Sequence, residues 1–181
     1  MNKKLNLKQG AVKLALGSAF ALGGFGVCLH AYAATASSTA TSIVMVPIAV
    51  TAGTVLDFGK FSAGASGGTI KVEPDSTVAV TSTVLRGTGA TSTAAQFTVT
   101  GDASNTYSIA YTGDATLANG INTMALTKVS ALTAPTSTAL VATGTLTLGT
   151  QTIFVGGTLT VGASQVAGTY TGAVGVTVLY N

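Results

Sequence analysis

The chain has little of what enzymes use for catalysis. It contains one cysteine and one histidine, no tryptophan, and only 7% charged residues. Cys28 and His30 both lie in the N-terminal segment, which its own pattern marks for removal. Without them the remaining chain lacks the commonest general base, the thiol nucleophile and the usual transition-metal ligands. It also cannot form an intramolecular disulfide.

The N-terminal segment has the pattern of a secretory signal peptide. Four lysines come first: Lys3, Lys4, Lys8 and Lys13. An apolar stretch from Leu14 to Leu29 follows, and Ala31-Tyr32-Ala33 forms a cleavage motif. The stretch is shorter than the roughly 20 apolar residues of a membrane span and is interrupted by glycines. Because Val27, not a small residue, precedes Cys28, lipid attachment is not expected. We predict that residues 1–33 are a signal peptide and that the mature chain is exported.

Removal of the signal peptide changes the charge of the protein. The mature chain, Ala34–Asn181, keeps four basic and five acidic side chains, so its net charge is −1. No basic patch remains to bind nucleic acid or an anionic membrane. No later apolar run is long enough to span a bilayer. We therefore expect neither a nucleic-acid partner nor a membrane span in the mature chain.

The mature sequence favours an all-β fold. It is dominated by Thr, Ala, Gly, Ser and Val, and its apolar residues recur with a period of two. About nine short strands separated by turn signals are typical of a β-sandwich, with a closed barrel as the alternative. Turns are predicted at Glu73-Pro74-Asp75, at 101–105 and at Asn119-Gly120. Gly156-Gly157, a weak match to a phosphate loop without the helix that should follow it, is interpreted as a hairpin.

Two N-terminal strands are expected. The first covers Ile43 to Val50 and contains Pro47, which favours an edge position or a bulge. The second covers Val55 to Phe61. Before them, residues 34–42 form a leader of small residues, either flexible or a donor strand, so that the sandwich domain is assigned to residues 43–181.

The C-terminal segment alternates over a long stretch. A last strand is predicted from about Thr169 to Tyr180. One face of it carries Tyr170, Gly172, Val174, Val176, Val178 and Tyr180. This segment resembles the last strand of subunits assembled by the periplasmic chaperone–usher pathway. Those subunits have a penultimate tyrosine, here Tyr180, and a glycine fourteenth from the end, here Gly168.

That resemblance implies a specific mode of assembly. Such subunits are immunoglobulin-like sandwiches of about 7–9 strands that lack one strand. A periplasmic chaperone fills the groove first, and a neighbour's N-terminal extension then replaces it at an outer-membrane usher. The donor would lie within residues 34–50. Its apolar anchors would be Ile43, Val44, Met45, Val46 and Ile48. Residues 34–42 offer only small side chains, which would contribute little burial as a donor.

A second resemblance extends over most of the mature chain. It is carried by five segments: Pro47-Ile48, Leu56-Asp57-Phe58-Gly59, 95–101, 155–159 and Ala167-Gly168-Thr169-Tyr170. These look like a family of secreted bacterial domains of unknown function that is similar to fimbrillin-type major subunits. The resemblance implies no reaction.

The remaining candidates for chemistry have structural interpretations. Glu73 and Asp75 could be a carboxylate pair but flank Pro74 and suit a turn that ends a strand. Asp102, Asn105 and Asp114 could bind calcium, yet their spacing matches no known loop. Tyr107 and Tyr111 share a strand face and are the aromatic pair whose exposure matters. No catalytic residue, cofactor or metal is expected.

Three functions follow, in order of preference. The first is a structural subunit of an extracellular pilus-like fibre or surface coat, assembled by β-strand complementation, with itself as the main partner. The second is a monomeric adhesin or carbohydrate-binding sandwich whose strands all close within one chain. The third, an enzyme that uses the scattered acids, ranks last.

Overall fold

Twelve β-strands and no helix form between Ala34 and Asn181, the part of the chain that the computed structural model describes. The predicted signal peptide, residues 1–33, lies outside the described residues. The strands are β1 (Ala49–Ala52), β2 (Phe61–Ser62), β3 (Gly68–Val72), β4 (Val78–Val80), β5 (Leu85–Arg86), β6 (Ala95–Thr100), β7 (Thr106–Gly113), β8 (Thr116–Asn119), β9 (Asn122–Ala131), β10 (Thr143–Thr145), β11 (Thr150–Val161) and β12 (Val174–Tyr180).

The larger sheet is organised around β11, the longest strand. The first half of β11 pairs with β6 and its second half pairs with β3, so that these two strands follow one another along the same edge. Strand β9 pairs with the other edge and carries β8 beyond it. Strands β1 and β4 extend the sheet outward from β6 and β3. Because two strands share one edge of β11, the sheet curls into a half barrel.

A smaller sheet in the order β10-β7-β12 faces the larger one. A two-stranded ribbon, β2-β5, is separate from both. Every strand pair is antiparallel. The predicted all-β, sandwich-like fold is confirmed.

Two apolar clusters fill the interior. One lies between the two sheets and includes Phe97 and Val99 of β6, Ile153 and Val155 of β11, and Tyr107 of β7. The alternation of these residues along their strands places each of them on the inner face. The other cluster lies at the opposite end of the curled sheet.

That second cluster includes Ile70 and Val72 of β3, Leu126 of β9, and Leu159 of β11. It is covered by Phe58 and Val84, which belong to irregular segments beside the β2-β5 ribbon. The half of the larger sheet that carries β3 is therefore covered by loops and the ribbon.

The turns predicted from sequence are confirmed; two of them close hairpins, and the one at 101–105 carries the chain from the larger sheet to the smaller one. Residues 73–77 connect β3 to β4, residues 101–105 connect β6 to β7, and Gly120 connects β8 to β9 with a φ of 60°. The Gly156-Gly157 hairpin is wrong. Strand β11 runs through both glycines without a break.

Two predicted N-terminal strands are shorter than expected. Instead of a strand over 55–61, only Asp57 makes a bridge, to Thr93, before the short β2. The Asp57 carboxylate accepts a hydrogen bond from the Gly59 N–H at 2.7 Å, and Gly59 has a φ of 70°, so the chain turns there. The strand predicted over 43–50 begins only at Ala49, after Pro47, whose missing N–H cannot join a ladder.

The sheets belong to a unit that covers Ser42–Asn181. The described residues before it, Ala34–Thr41, belong to a separate unit; they are exposed and have no regular secondary structure. No helix able to cross a lipid bilayer occurs from Ala34 onward.

Candidate assembly edge

Strand β12 lies at an edge of the smaller sheet. It pairs with β7 over its whole length, from Val174 opposite Gly113 to Tyr180 opposite Tyr107. Within Ala34–Asn181 no strand pairs with its other side. An unpaired edge presents a row of backbone donors and acceptors to which another strand can bind.

The predicted alternation of the last strand holds over β12 itself. Val178 is buried between the sheets, and Val174, Val176 and Tyr180 are half-buried against the same cluster. Leu179 points the other way and is 64% exposed. The structure thus brings four of the seven predicted assembly residues together on one face.

The other three, Gly168, Tyr170 and Gly172, lie outside β12, which begins at Val174 and not near Thr169. Thr171 pairs with Ala118 of β8, and the Asp114 carboxylate accepts a hydrogen bond from the Ala173 N–H at 2.6 Å. These bonds hold the segment against β8 and against Asp114, the residue that follows β7. The alternating pattern in the sequence therefore starts several residues before the strand itself begins.

Tyr180 joins the C-terminal strand to the segment before β1. Its hydroxyl donates a hydrogen bond to the Val46 carbonyl at 2.9 Å and accepts one from the Asp102 N–H at 2.6 Å. A Cβ atom on Gly101 would collide with this hydroxyl, so the close approach requires glycine at that position. The sequence signals Gly101 only as a turn residue.

Strand β12 lies beside β1, the edge strand of the larger sheet, and we call the space between the two strands the groove. Tyr180, at the end of β12, is bonded to Val46, just before β1. Val174, at the start of β12, lines a cavity together with Ala52, at the end of β1. The two strands therefore run in opposite directions, and no ladder joins them within the described chain.

The cavity lies at the Val174 end of this groove and has a volume of about 160 Å³. Its walls come from the end of β1 and the loop after it, from β6 and from the start of β12: Ala52, Gly53, Thr54, Val55, Leu56, Ala95, Phe97, Gly172 and Val174. Residues so distant in the chain carry no local signal of a common site, so sequence reasoning missed the cavity.

The candidate donor residues divide into two groups. Ile43 and Val44 are 90% and 92% exposed, and Met45 and Val46 are 46% and 56% exposed. Ile48 is instead half-buried and packs against the cluster between the sheets. Four consecutive exposed apolar residues at the root of an irregular segment are unusual for a protein that remains a monomer in water.

The aromatic pair Tyr107 and Tyr111 is internal. Tyr107 is fully buried, and within the described chain its hydroxyl has no hydrogen-bond partner. The Tyr111 hydroxyl lies 2.6 Å from the Ser130 hydroxyl and donates to the Val141 carbonyl at 2.9 Å. Burial raises the pKa of both side chains, and Tyr111 contributes further to the raised pKa of Tyr107. Neither forms an exposed platform for a sugar or a base.

Phenylalanine substitutions should separate the roles of these hydroxyls. Because tyrosines ionise near pH 10 in the unfolded chain and at higher pH when buried, the free energy of unfolding should fall as pH rises above about 10. We expect Tyr107→Phe to leave stability at pH 7 unchanged or slightly higher and to reduce this alkaline loss. Tyr111→Phe should cost about 1 kcal/mol at pH 7. Urea unfolding at pH 7 and pH 11 measures both, and a larger cost for Tyr107→Phe would contradict the assignment.

A larger cleft of about 870 Å³ lies over the other apolar cluster. Phe58, Met124 and Leu159 form its floor, and Phe61 and Tyr170 stand half-buried in its walls. The Tyr170 hydroxyl donates to the Val166 carbonyl at 2.8 Å and lies 2.9 Å from Gln165 Nε2. Tyr170, predicted for the assembly face, thus belongs to this cleft.

The carboxylates of Glu73 and Asp75 make structural contacts within and beside the β3–β4 turn. Glu73 forms an ion pair with Lys71 at 2.6 Å and accepts a hydrogen bond from the Ser137 N–H. Asp75 is exposed, and its hydrogen bonds from the Thr77 side chain and backbone lower the pKa of its carboxyl. Across residues 34–181 no group of three or more acidic, histidine or cysteine side chains converges as a metal site would require. These carboxylates are occupied by structural contacts.

Comparison with known proteins identifies a family. No curated protein and no solved structure matches the chain. A family model described as Domain of unknown function (DUF4402) matches residues 48–180, nearly the whole of the sheet-forming unit. The match begins at Ile48, the first residue of the N-terminal segment that packs into the core, and leaves out the exposed residues 43–46. The chain therefore belongs to the DUF4402 family of domains of unknown function.

Proposed function

We propose that this protein is a structural subunit of an extracellular pilus-like fibre or surface coat, assembled by β-strand complementation. The observation that carries the proposal is that two features occur together in the described chain. One is a strand edge with no partner strand, and the other is an exposed apolar segment. Within residues 34–181 no strand pairs with the outer edge of β12, and residues 43–46 are exposed at the N-terminal side of β1. A strand from a second copy would satisfy the edge and bury the segment.

The composition of the subunit suits this function. Few charges and many threonines are compatible with a surface that becomes buried in neighbouring copies. The proposal places the mature chain in the periplasm in transit and then at the cell surface. A periplasmic chaperone and an outer-membrane usher would be transient partners, and no catalysis is proposed.

Deletion of residues 34–46 tests the proposal directly. The mature chain, refolded by dilution and sized by gel filtration with light scattering, should form polymers that resist detergent. The deleted chain retains Ile48 and β1 and should form none, because it has no strand to donate. An added peptide of residues 34–46 should bind it and raise its thermal stability by filling the groove.

A shorter deletion provides the matched control. Removal of residues 34–42 takes away the small-residue leader but keeps Ile43, Val44, Met45 and Val46. It should weaken assembly less than removal of 34–46. Polymers that persist after the longer deletion would refute strand donation by this segment.

The alternative is a monomeric adhesin or carbohydrate-binding module. The observation that favours it is the 870 Å³ cleft with Phe61 and Tyr170 in its walls, since half-exposed aromatic rings bind sugars. This function predicts a stable monomer that binds immobilised glycans, and loss of that binding on Phe61→Ala. A monomer that retains glycan binding, together with an absence of polymers, would favour this function over the first.

A further inference from the structure

The turn between β10 and β11 and the larger cleft form two complementary surfaces near opposite ends of β11. We propose that Leu148 of one copy inserts into the cleft of the next copy, and that Asp102 of the first copy pairs with Lys60 of the second. The occupant of the cleft is therefore a second copy of this chain. The contact rests on the proposed function only in that the partner is another subunit, and it does not require strand donation.

Leu148 is held on the outside of the domain. It lies in the turn between β10 and β11 and is 90% exposed. The carbonyl of the fully buried Leu146 accepts hydrogen bonds from the N–H groups of Ser104, at 2.7 Å, and Leu148, at 3.2 Å. The Gly149 carbonyl accepts another from the Gly101 N–H at 3.0 Å. These bonds fix the turn against the neighbouring turn between β6 and β7 and leave the Leu148 side chain in solvent.

The backbone of Leu148 has a conformation that leucine rarely adopts. Its φ is 138°, in the range that favours glycine. Single exposed leucines are common on protein surfaces and need no explanation. A bulky residue in a strained backbone is different, because such residues are concentrated at functional sites, where other contacts offset their cost. Contact between Leu148 and another surface would offset the cost in this way.

The cleft offers an apolar surface to which such a side chain can bind. Its volume of about 870 Å³ is enough for a leucine side chain and the turn that carries it. Phe61, Leu117 and Tyr170 are half-buried in its walls, and Val166, which also lines it, is 54% exposed. An inserted leucine would remove part of this apolar area from water.

Leu148 cannot reach the cleft of its own copy. Strand β11 runs without a break from Thr150, just after Leu148, to beyond Leu159, which lies in the floor of the cleft. At about 3.3 Å per residue, Thr150 and Leu159 are about 30 Å apart along the strand. A side chain and a cleft on different surfaces of one chain form a heterologous contact between copies. Such contacts repeat as an open fibre unless the rotation between copies closes a ring.

The charges of the two surfaces are also complementary. Within residues 34–181, Lys60 and Asp102 are the two charged residues whose side chains make no hydrogen bond or ion pair. The other charged side chains each make at least one: Asp57, Lys71, Glu73, Asp75, Arg86, Asp114 and Lys128. Lys60 is exposed and lines the cleft, and Asp102 lies in the turn that is bonded to the turn of Leu148. A copy that brings Leu148 to the cleft therefore brings a negative charge towards a positive one, which favours a second copy over a neutral sugar as the occupant.

Replacement of Leu148 by glycine separates the contact from folding. Because glycine adopts a φ of 138° without strain, the thermal midpoint of the variant should equal or exceed that of the unaltered mature chain. Its detergent-sensitive association, measured by sedimentation velocity over a range of concentrations, should weaken about 30-fold, since burial of a leucine is lost. Ile121→Gly is the matched control. Ile121 is 99% exposed in another turn and does not line the cleft, so its loss should leave association unchanged. Equal association of the Leu148→Gly variant and the unaltered chain would overturn the proposal.

Charge reversal tests the pairing of the two surfaces. Lys60→Glu and Asp102→Lys should each weaken the same association about tenfold, because each substitution places like charges opposite one another. The variant with both substitutions should recover to within about threefold of the unaltered chain. Losses that simply add in the double variant would contradict the pairing of Lys60 with Asp102.

Engineered disulfides test the position, because the mature chain has no cysteine of its own. Leu148→Cys with Val166→Cys should give a ladder of covalent polymers on oxidation. Leu148→Cys with Ile121→Cys should give none, because Ile121 lies outside the cleft lining.

The outcomes separate this contact from strand donation and from sugar binding. A ladder from Leu148→Cys with Val166→Cys, in a chain whose uncrosslinked polymers dissolve in detergent, would support the contact and refute strand donation. Detergent-resistant polymers without that ladder would support strand donation and overturn the contact. Glycan binding that Phe61→Ala abolishes, together with association that Leu148→Gly leaves unchanged, would assign the cleft to a sugar and also overturn the contact.

Discussion

Replacement of Tyr180 by alanine is expected to lower the free energy of unfolding by about 3 kcal/mol. The phenol ring packs half-buried against the cluster between the sheets, and its hydroxyl bonds to both Val46 and Asp102. Loss of the ring opens a cavity beside Gly101, and the Asp102 N–H loses its acceptor. Urea unfolding followed by circular dichroism measures the change, at a protein concentration where the chain is monomeric.

Tyr180→Phe is the matched control, because it removes only the hydroxyl. It should cost about 1 kcal/mol, the usual net contribution of a hydrogen bond. The same variant should release the Val46 carbonyl and loosen the segment before β1, which hydrogen exchange at residues 45–48 would detect. If Tyr180→Ala costs no more stability than Tyr180→Phe, packing of the ring does not stabilise the position of β12.

Part of the candidate assembly edge can be predicted from the sequence. Alternation from Val174 to Tyr180 correctly predicts an inner face, because side chains on a strand alternate whatever the strand pairs with. The same alternation wrongly extends that face back to Tyr170. The strand ends where Thr171 bonds to Ala118 and Asp114 binds the Ala173 N–H, and these partners are 50 or more residues away in sequence. A period of two in the sequence predicts which face a side chain lies on, but it does not predict where strand pairing begins or ends.

The groove itself could not be predicted from local pattern. It exists because β1 and β12 are edges of different sheets, which is a property of the topology. Its cavity combines the loop after β1, β6 and the residues before β12. The sequence identifies apolar residues as candidate donors but cannot separate Ile43, which is exposed, from Ile48, which is packed in the core.

Gly156 gives the clearest case of one sequence signal with two meanings. Two adjacent glycines are typical of a hairpin turn, yet here they continue a central strand. At Gly156 the backbone of the β3–β4 turn approaches β11 closely, just where β6 gives way to β3 along its edge. Glycine within a strand also marks such close approaches, and the distinction depends on contacts that the sequence does not show.

Gly156→Ala is therefore expected to destabilise the domain by about 3 kcal/mol or to prevent folding. The new Cβ would collide with the Val72 carbonyl oxygen and lie 2.9 Å from the Glu73 carbonyl carbon and 3.1 Å from the Pro74 nitrogen. All three atoms belong to the backbone, so no side chain can rotate aside. To relieve the contact, β3 must separate from β11.

Gly53→Ala is the control for adding a methyl group to this chain. The nearest atoms to its Cβ would be the Gln96 carbonyl oxygen at 3.4 Å and the Gln96 Cβ at 3.8 Å. Its stability should stay within about 0.5 kcal/mol of the unaltered protein. Thermal unfolding of both variants measures the difference: if Gly156→Ala were tolerated about as well as Gly53→Ala, the close approach of the β3–β4 turn would not be what requires glycine at position 156. A large loss at Gly156 alone would establish that β11 needs glycine where the end of β3 and the turn after it lie against its backbone.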